Sequence, residues 1–168
     1  MYKHLKDRHL NFELHPVWYT DEVATFPMYN LSGQLTGYHI YRPAGSKKFN
    51  NNPYEGKYFT RTFNTFACWG LESYSLSNTL FVTEGIFDAA RVTSLGYSAV
   101  CLFSSALSKP LVNWLYIIRA NRPVVALCDG DKGGNLLGKY LSKSYYMPEG
   151  HDPASVDETY LKKVLQNA

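Results

Sequence analysis

"TLFVTEGIFDAARVTSLGYSAVCLF", residues 79–103, decides the fold. An apolar run from Leu80 to Val82 ends in Glu84-Gly85. Helical spacing then continues through Ile86, Ala89, Ala90, Val92 and Leu95, with Gly96 as a C-terminal cap. A second apolar run, "YSAVCLF", follows at once. Strand, helix and strand joined by links this short predict a parallel pair with the helix laid across it. The pattern continues downstream. Ser108-Lys109-Pro110 opens a helix, "PLVNWLYIIRA" (110–120), where proline is tolerated in the first turn. "RPVVALC" (122–128) predicts a third strand and "NLLGKYLSKSYY" (135–146) a third helix.

Upstream the pattern differs. Residues 2–9 predict a short helix, and the chain to about 25 reads as irregular. "FPMYNLSGQLTGYHIYR" (26–42) alternates on both sides of Ser32-Gly33 and predicts a hairpin. "PAGSKKFNNNPYEG" (43–56) is a loop by its Pro, Gly and Asn content, and "KYFTRTF" (57–63) adds a third short strand. The expected division is a small, mainly antiparallel α+β unit over 1–77. An α/β unit follows over 78–168, a parallel sheet flanked by helices and closed by a C-terminal helix.

With 45% hydrophobic and 15% aromatic residues in 168, the chain can bury a proper core, which excludes a disordered tail. Its net charge of +3 is compatible with a nucleic-acid partner without demanding one. No apolar run approaches the roughly 18 residues of a membrane span. The charged start, "MYKHLKDRHLNFELHP", lacks a signal-peptide core, so the expected location is the cytosol, or a host cell's cytosol. Cys68, Cys101 and Cys128 have no paired spacing and no zinc-ligand pattern with histidine, so no zinc is expected.

"VVALCDGDKGG" (124–134) runs a buried strand into two aspartates. Asp129 and Asp131 fit two readings, an Asp-Gly turn or a metal site. Parallel sheets place their chemistry at the carboxyl ends of strands, and Glu84 stands at one such end with Asp129 and Asp131 at another. That relation, and the helix expected after Asp131, favour the metal. Asp88 lies one helical turn beyond Glu84, and Asp152 is a fifth candidate. Carboxylates gathered this closely repel, and a divalent cation relieves the repulsion. "GGNLLGKY" (133–140) falls one residue short of a P-loop, and Tyr140 stands where the metal-binding hydroxyl belongs, so Lys139 reads as a solvated helix residue. Arg42, Lys47, Lys48, Lys57 and Arg61, interleaved with aromatics including Tyr58, form a candidate nucleic-acid surface. Lys132, beside Asp131, joins them.

"VTEGIFDAARVTSLGYSAV" (82–100), "ALCDGDKGG" (126–134) and "MPEGHDPASV" (147–156) resemble the Toprim catalytic domain of bacterial-type and phage DNA primases. "FPMYNLSGQLTGYHI", "KYFTR" and "CWGLES" (68–73) resemble the smaller subdomain of the same polymerase core. The resemblance implies a Rossmann-like Toprim sheet with Glu84, Asp129 and Asp131 as catalytic acids. It implies Glu84, Asp88, Asp129, Asp131 and Asp152 around two Mg2+ or Mn2+ ions. It also implies synthesis of RNA primers from nucleoside triphosphates on single-stranded DNA. Other Toprim proteins cleave phosphodiesters, and a non-catalytic replication accessory is a third reading. The sequence departs from the family at Ala154, where a second acid is usual, and Ser155 with Glu158 reads as a helix capping box. Zinc-binding and further helical segments of the family have no counterpart here. A separate replicative helicase or zinc-bearing subunit is therefore an expected partner.

Overall fold

A computed structural model describes residues 1–46, 54–63, 67–104 and 106–168. Lys47 and Lys48 lie outside the described residues. After helix α1 (Tyr2–Asp7), which buries Leu5, come four antiparallel strands: β1 (Trp18–Tyr19), β2 (Ala24–Tyr29), β3 (Leu35–Tyr41) and β4 (Tyr58–Thr62). They lie in chain order, β1-β2-β3-β4. The β2–β3 turn is closed by Asn30, whose Oδ1 accepts from the Ser32 and Gln34 amides at 3.0 and 2.9 Å. Gly33 takes the positive φ of 75° that the turn requires. The two-residue strand β1 had no signal in the sequence, being too short to show alternation.

Alternation gives this sheet two unlike faces. Ala24, Phe26, Met28 and Tyr41 are fully buried and point one way. Their paired neighbours on that face include His39 and Thr60, and Tyr41 and Tyr58. The intervening residues, among them Tyr38, Phe59 and Arg61, point the other way.

The second sheet is parallel, with strands β5 (Leu80–Thr83), β6 (Ser98–Cys101), β7 (Val124–Cys128) and β8 (Ser144–Tyr146) in the order β6-β5-β7-β8. Helices α2 (Ile86–Ser94), α3 (Lys109–Arg119), α4 (Lys132–Leu137) and α5 (Glu158–Gln166) accompany it. Strands β5, β6 and β7 are buried at every position, because helices cover both faces. On one face Phe81, Ala99, Val125 and Leu127 pack with α2, α5 and the inner face of the antiparallel sheet. On the other, Leu80, Val82, Val100 and Ala126 pack with Leu111, Leu115 and Ile118 of α3. One apolar cluster thus joins both sheets, with Phe26 edge-on to Phe87 at 6.1 Å and Tyr41 to Phe87 at 4.9 Å. Beyond β6, Trp69 and Cys101 exchange backbone hydrogen bonds of 3.1 and 2.9 Å, so the connecting chain closes that sheet edge.

Two local expectations are corrected. The helix expected over 135–146 stops at Leu137, gives one 3-10 turn (Gly138–Tyr140), and is replaced by β8. Gly138 weakens the helix, and Ser144-Tyr145-Tyr146 has the β-propensity to pair with the open edge of β7. The capping box expected from Ser155 and Glu158 is absent. Asp157 caps α5 instead, accepting the Tyr160 amide at 3.1 Å, while Ser155 is engaged with the backbone of Asp152. Among the described residues, no helix is long and apolar enough to cross a membrane.

Candidate active site

The carboxyl ends of β5 and β7 open on a cavity of about 390 Å3 between the two sheets. Glu84, directly after β5, and Asp129, directly after β7, line it together with Asp88 and Asp152. The facing wall is His39, Tyr58 and Thr60 of the antiparallel sheet, with Arg8, Phe87, Phe103 and Ser104 around the rim. Arg8 stacks its guanidinium on the Phe87 ring at 3.8 Å. His39 stacks on Phe103 at 4.6 Å and hydrogen-bonds Thr60 Oγ1 at 2.8 Å through Nδ1.

Asp88 is buried, at 6% exposure, and both its oxygens are used. Oδ2 accepts the Gly85 amide and Oδ1 the Ala154 amide, each at 3.0 Å. It therefore ties the start of α2 to the loop that carries Asp152. Burial, reinforced by the charges of Asp152 and Asp129, pushes its acid up to about 8 against the pull of those two bonds. Asp129 is pushed up to about 6 by burial first and then by Asp152 and Asp131. Burial lowers His39 to about 4.

Backbone geometry brings Asp129 and Asp152 together. The Gly130 amide donates to His151 O at 2.9 Å, and a Cβ at Gly130 would run into the carbonyl of Pro148. Only glycine lets the two segments lie this close. Asp131, by contrast, is exposed and outside the cavity lining. The chain bends at Gly130 rather than staying extended, and Asp131 Oδ1 accepts the Gly134 amide at 3.0 Å in the first turn of α4. Its charge still reaches Asp129.

Asp129 Oδ1 and Asp152 Oδ1 are buried without a hydrogen-bond partner. Two orphaned oxygens on one cavity, beside Asp88 and Asp129, whose acids are raised by burial and then by neighbouring carboxylates, fit a divalent cation. Among the described residues, no group of three or more His, Cys, Asp or Glu side chains is arranged to close around one ion. The donor set thus fits an ion held by one or two carboxylates and completed by water and phosphate oxygens, as Mg2+ is, rather than a closed protein cage.

The basic candidates separate. Tyr58 lines the cavity, and Lys57 Nζ lies 5.9 Å from the rings of Tyr41 and Tyr58 at its edge. Arg42 donates to Gly56 O, and Lys132 is exposed at the start of α4. Arg61 is on the opposite face of its sheet from Thr60 and points away from the carboxylates. Arg8, His39, Thr60 and Phe103 were not singled out in the sequence. The alternation of β3 and β4 could have placed His39 and Thr60 beside Tyr58; nothing local marks Arg8 or Phe103.

No family model and no curated protein sequence matches the chain. Solved structures do. The E. coli primase catalytic core superposes with a TM-score of 0.64 at 19% identity, over 99% of this chain and 58% of that one. Its fold is that of a DNA primase catalytic core. The primase fragment of the bacteriophage T7 primase-helicase matches with a TM-score of 0.65 at 16% identity, over 93% of this chain and 68% of that fragment. The Aquifex aeolicus primase, zinc-binding and RNA polymerase domains together, matches at 24% identity and 0.62, over 87% and 39%. The chain spans little more than half of the E. coli primase core it resembles. The primase fold accounts for both sheets together, the antiparallel one included.

Proposed function

We propose that the chain is a nucleotidyltransferase of the DNA-primase type, building RNA primers on a single-stranded DNA template from nucleoside triphosphates. The observation that carries this reading is the cavity that sets Glu84, Asp129 and Asp152 against a polar and aromatic wall from the other sheet. Asp129 and Asp152 would hold one divalent cation, Mg2+ or Mn2+, with Glu84 offered to a second ion completed by triphosphate oxygens and Asp131 contributing charge from beside them. When bound, such ions supply Lewis-acid stabilisation of charge on the phosphoryl oxygens.

The chain's own residues do the rest. Asp88 is a positioning residue that fixes the Asp152 loop. Tyr58 presents a ring to a nucleotide base, while Lys57, Arg42 and Lys132 bring positive charge to its phosphates. In the reaction the primer's 3′-oxygen attacks the α-phosphorus and the bond to the β-phosphate oxygen breaks. Pyrophosphate leaves, and the hydroxyl proton passes to the carboxylate set. Positioning of this kind supplies much of the rate in phosphoryl transfer.

Labelled triphosphates, single-stranded template and Mg2+ or Mn2+ test it. Template-dependent oligomers that vanish in Asp129→Asn are expected. Degradation of DNA without triphosphates would replace this reading with a nuclease. DNA binding with no synthesis under either metal would leave a non-catalytic accessory protein.

A further inference from the structure

The antiparallel sheet has an outer face turned away from the carboxylates. Strand register defines it. Trp18 pairs with Thr25, Thr25 with Ile40, and Ile40 with Phe59, so these four form one transverse row across all four strands. The next row is Pro27, Tyr38 and Arg61. Neither row contains a carboxylate.

The rings of this face are grouped. Tyr38 lies 6.4 Å from Phe59 and 5.9 Å from Phe63, and Tyr54 lies 5.0 Å from Phe59. Trp18, Tyr54 and Phe63 are 58%, 56% and 54% exposed. None of Trp18, Tyr38, Ile40, Phe59 and Phe63 belongs to either buried cluster. Rings of this size left in water cost free energy unless something covers them. Along β4 and its extension, Phe59, Arg61 and Phe63 give ring, guanidinium and ring at every second residue. That alternation is complementary to a strand of flat bases joined by phosphates. Aromatic faces stack on bases whatever their identity, and arginine meets the phosphate or stacks beside them. A four-stranded sheet with exposed aromatics is a known geometry for holding single-stranded bases.

We infer that this outer face, centred on Tyr38, Phe59, Arg61 and Phe63 with Trp18 at its margin, binds single-stranded nucleic acid. The stacking is tolerant of sequence, and the site is separate from the cavity. A strand held here lies on one side of the sheet while the reacting ends lie on the other. The inference does not rest on the carboxylate reading, since a chain without catalysis would still present the face.

The test is anisotropy of labelled thymidine and uridine oligomers with the whole chain, each variant's fold checked by near-ultraviolet circular dichroism. Trp18→Ala and Phe63→Ala, both at exposed positions, should each weaken binding about tenfold. Trp18→Phe, which keeps a ring, should retain most of it. Arg61→Ala should lower the slope of log affinity on log salt by about 0.7, and Arg61→Lys should restore it. A preference above about tenfold for one oligomer would name DNA or RNA as the occupant. Unchanged affinity in folded Trp18→Ala and Phe63→Ala overturns the inference, as does equal binding of duplex and single strand. So does a loss of self-association in these variants with oligomer binding intact, which would make the face a protein interface. Primer synthesis by Asp129→Asn reports on the carboxylate reading separately, because that residue lines the cavity on the inner side of the antiparallel sheet.

Discussion

The carboxylate of Asp88 accepts the amide of Ala154 at 3.0 Å across 66 residues of sequence, binding the first turn of α2 to the loop that carries Asp152. Its other oxygen accepts the amide of Gly85, next to Glu84. One buried side chain therefore sets the separation of two proposed ion-binding groups without needing to touch the ion.

Asp88→Ala should lower stability by about 1–3 kcal/mol, since it strands two backbone donors. It should also weaken Mn2+ binding by releasing the Asp152 loop. Urea denaturation and calorimetric Mn2+ titration measure the two effects. A variant with wild-type ion affinity would show that the loop holds its place unaided.

Asp129 and Asp131 should separate by substitution. Asp129→Asn is expected to weaken Mn2+ binding at least about tenfold and leave the metal-free fold slightly more stable, because a repelling charge is lost. Asp131→Asn keeps the oxygen that accepts the Gly134 amide, so it should reduce ion affinity at unchanged stability. Asp131→Ala should in addition lose about 0.5–2 kcal/mol with that turn contact. Equal ion affinity for wild type and Asp129→Asn would remove Asp129 from the site.

Acid should stabilise the metal-free protein over a defined window. Asp88 and Asp129 titrate above their unfolded values, at about 8 and 6, so the folded state holds their protons more tightly. Their contribution is full below about pH 4 and is lost as pH rises through 6 and 8. His39, lowered to about 4, acts in the opposite sense and only below its unfolded value of 6.5. Between pH 8 and 6.5 the carboxylates act without that opposition, and stability should rise by up to about 1.4 kcal/mol per unit of acidification. Mg2+ should reverse the trend, stabilising most at pH 8 where the acids are ionised. Melts at pH 8 and 6.5, with and without Mg2+, decide it.

Gly130→Ala should disturb the site without altering any side chain in it. The new methyl would meet the carbonyl of Pro148 and push the 147–152 segment away from β7. Weaker ion binding is expected, with a stability loss of about 1–3 kcal/mol from overpacking. Unimpaired Mn2+ titration would mean that the segment relaxes freely.

The parallel sheet was legible because its strands are buried on both faces, so β5, β6 and β7 read as continuous apolar runs. β8 was not, because "SKSYY" follows a genuine helix and becomes a strand only through the open edge of β7. Strand-end position marked Glu84 and Asp129 correctly as residues of one edge. Asp131 lies outside the cavity lining, since the chain bends at Gly130 directly after Asp129. The opposing wall could not be read at all as a wall. His39 and Thr60 reach the carboxylates only through the packing of one sheet on the other. Within the candidate basic surface, Tyr58 and Arg61 differ by an odd number of residues, and a strand sends them to opposite faces.

The aromatic seam between the sheets, Phe26 and Tyr41 against Phe87, constrains how the cavity works over time. Swinging one wall from the other would expose that seam to water, which makes such opening as costly as loosening the core itself. Access to the cavity is left to local excursions of the rim, where Arg8, Phe103 and Ser104 stand. The carboxylate floor and its facing wall then keep a constant spacing.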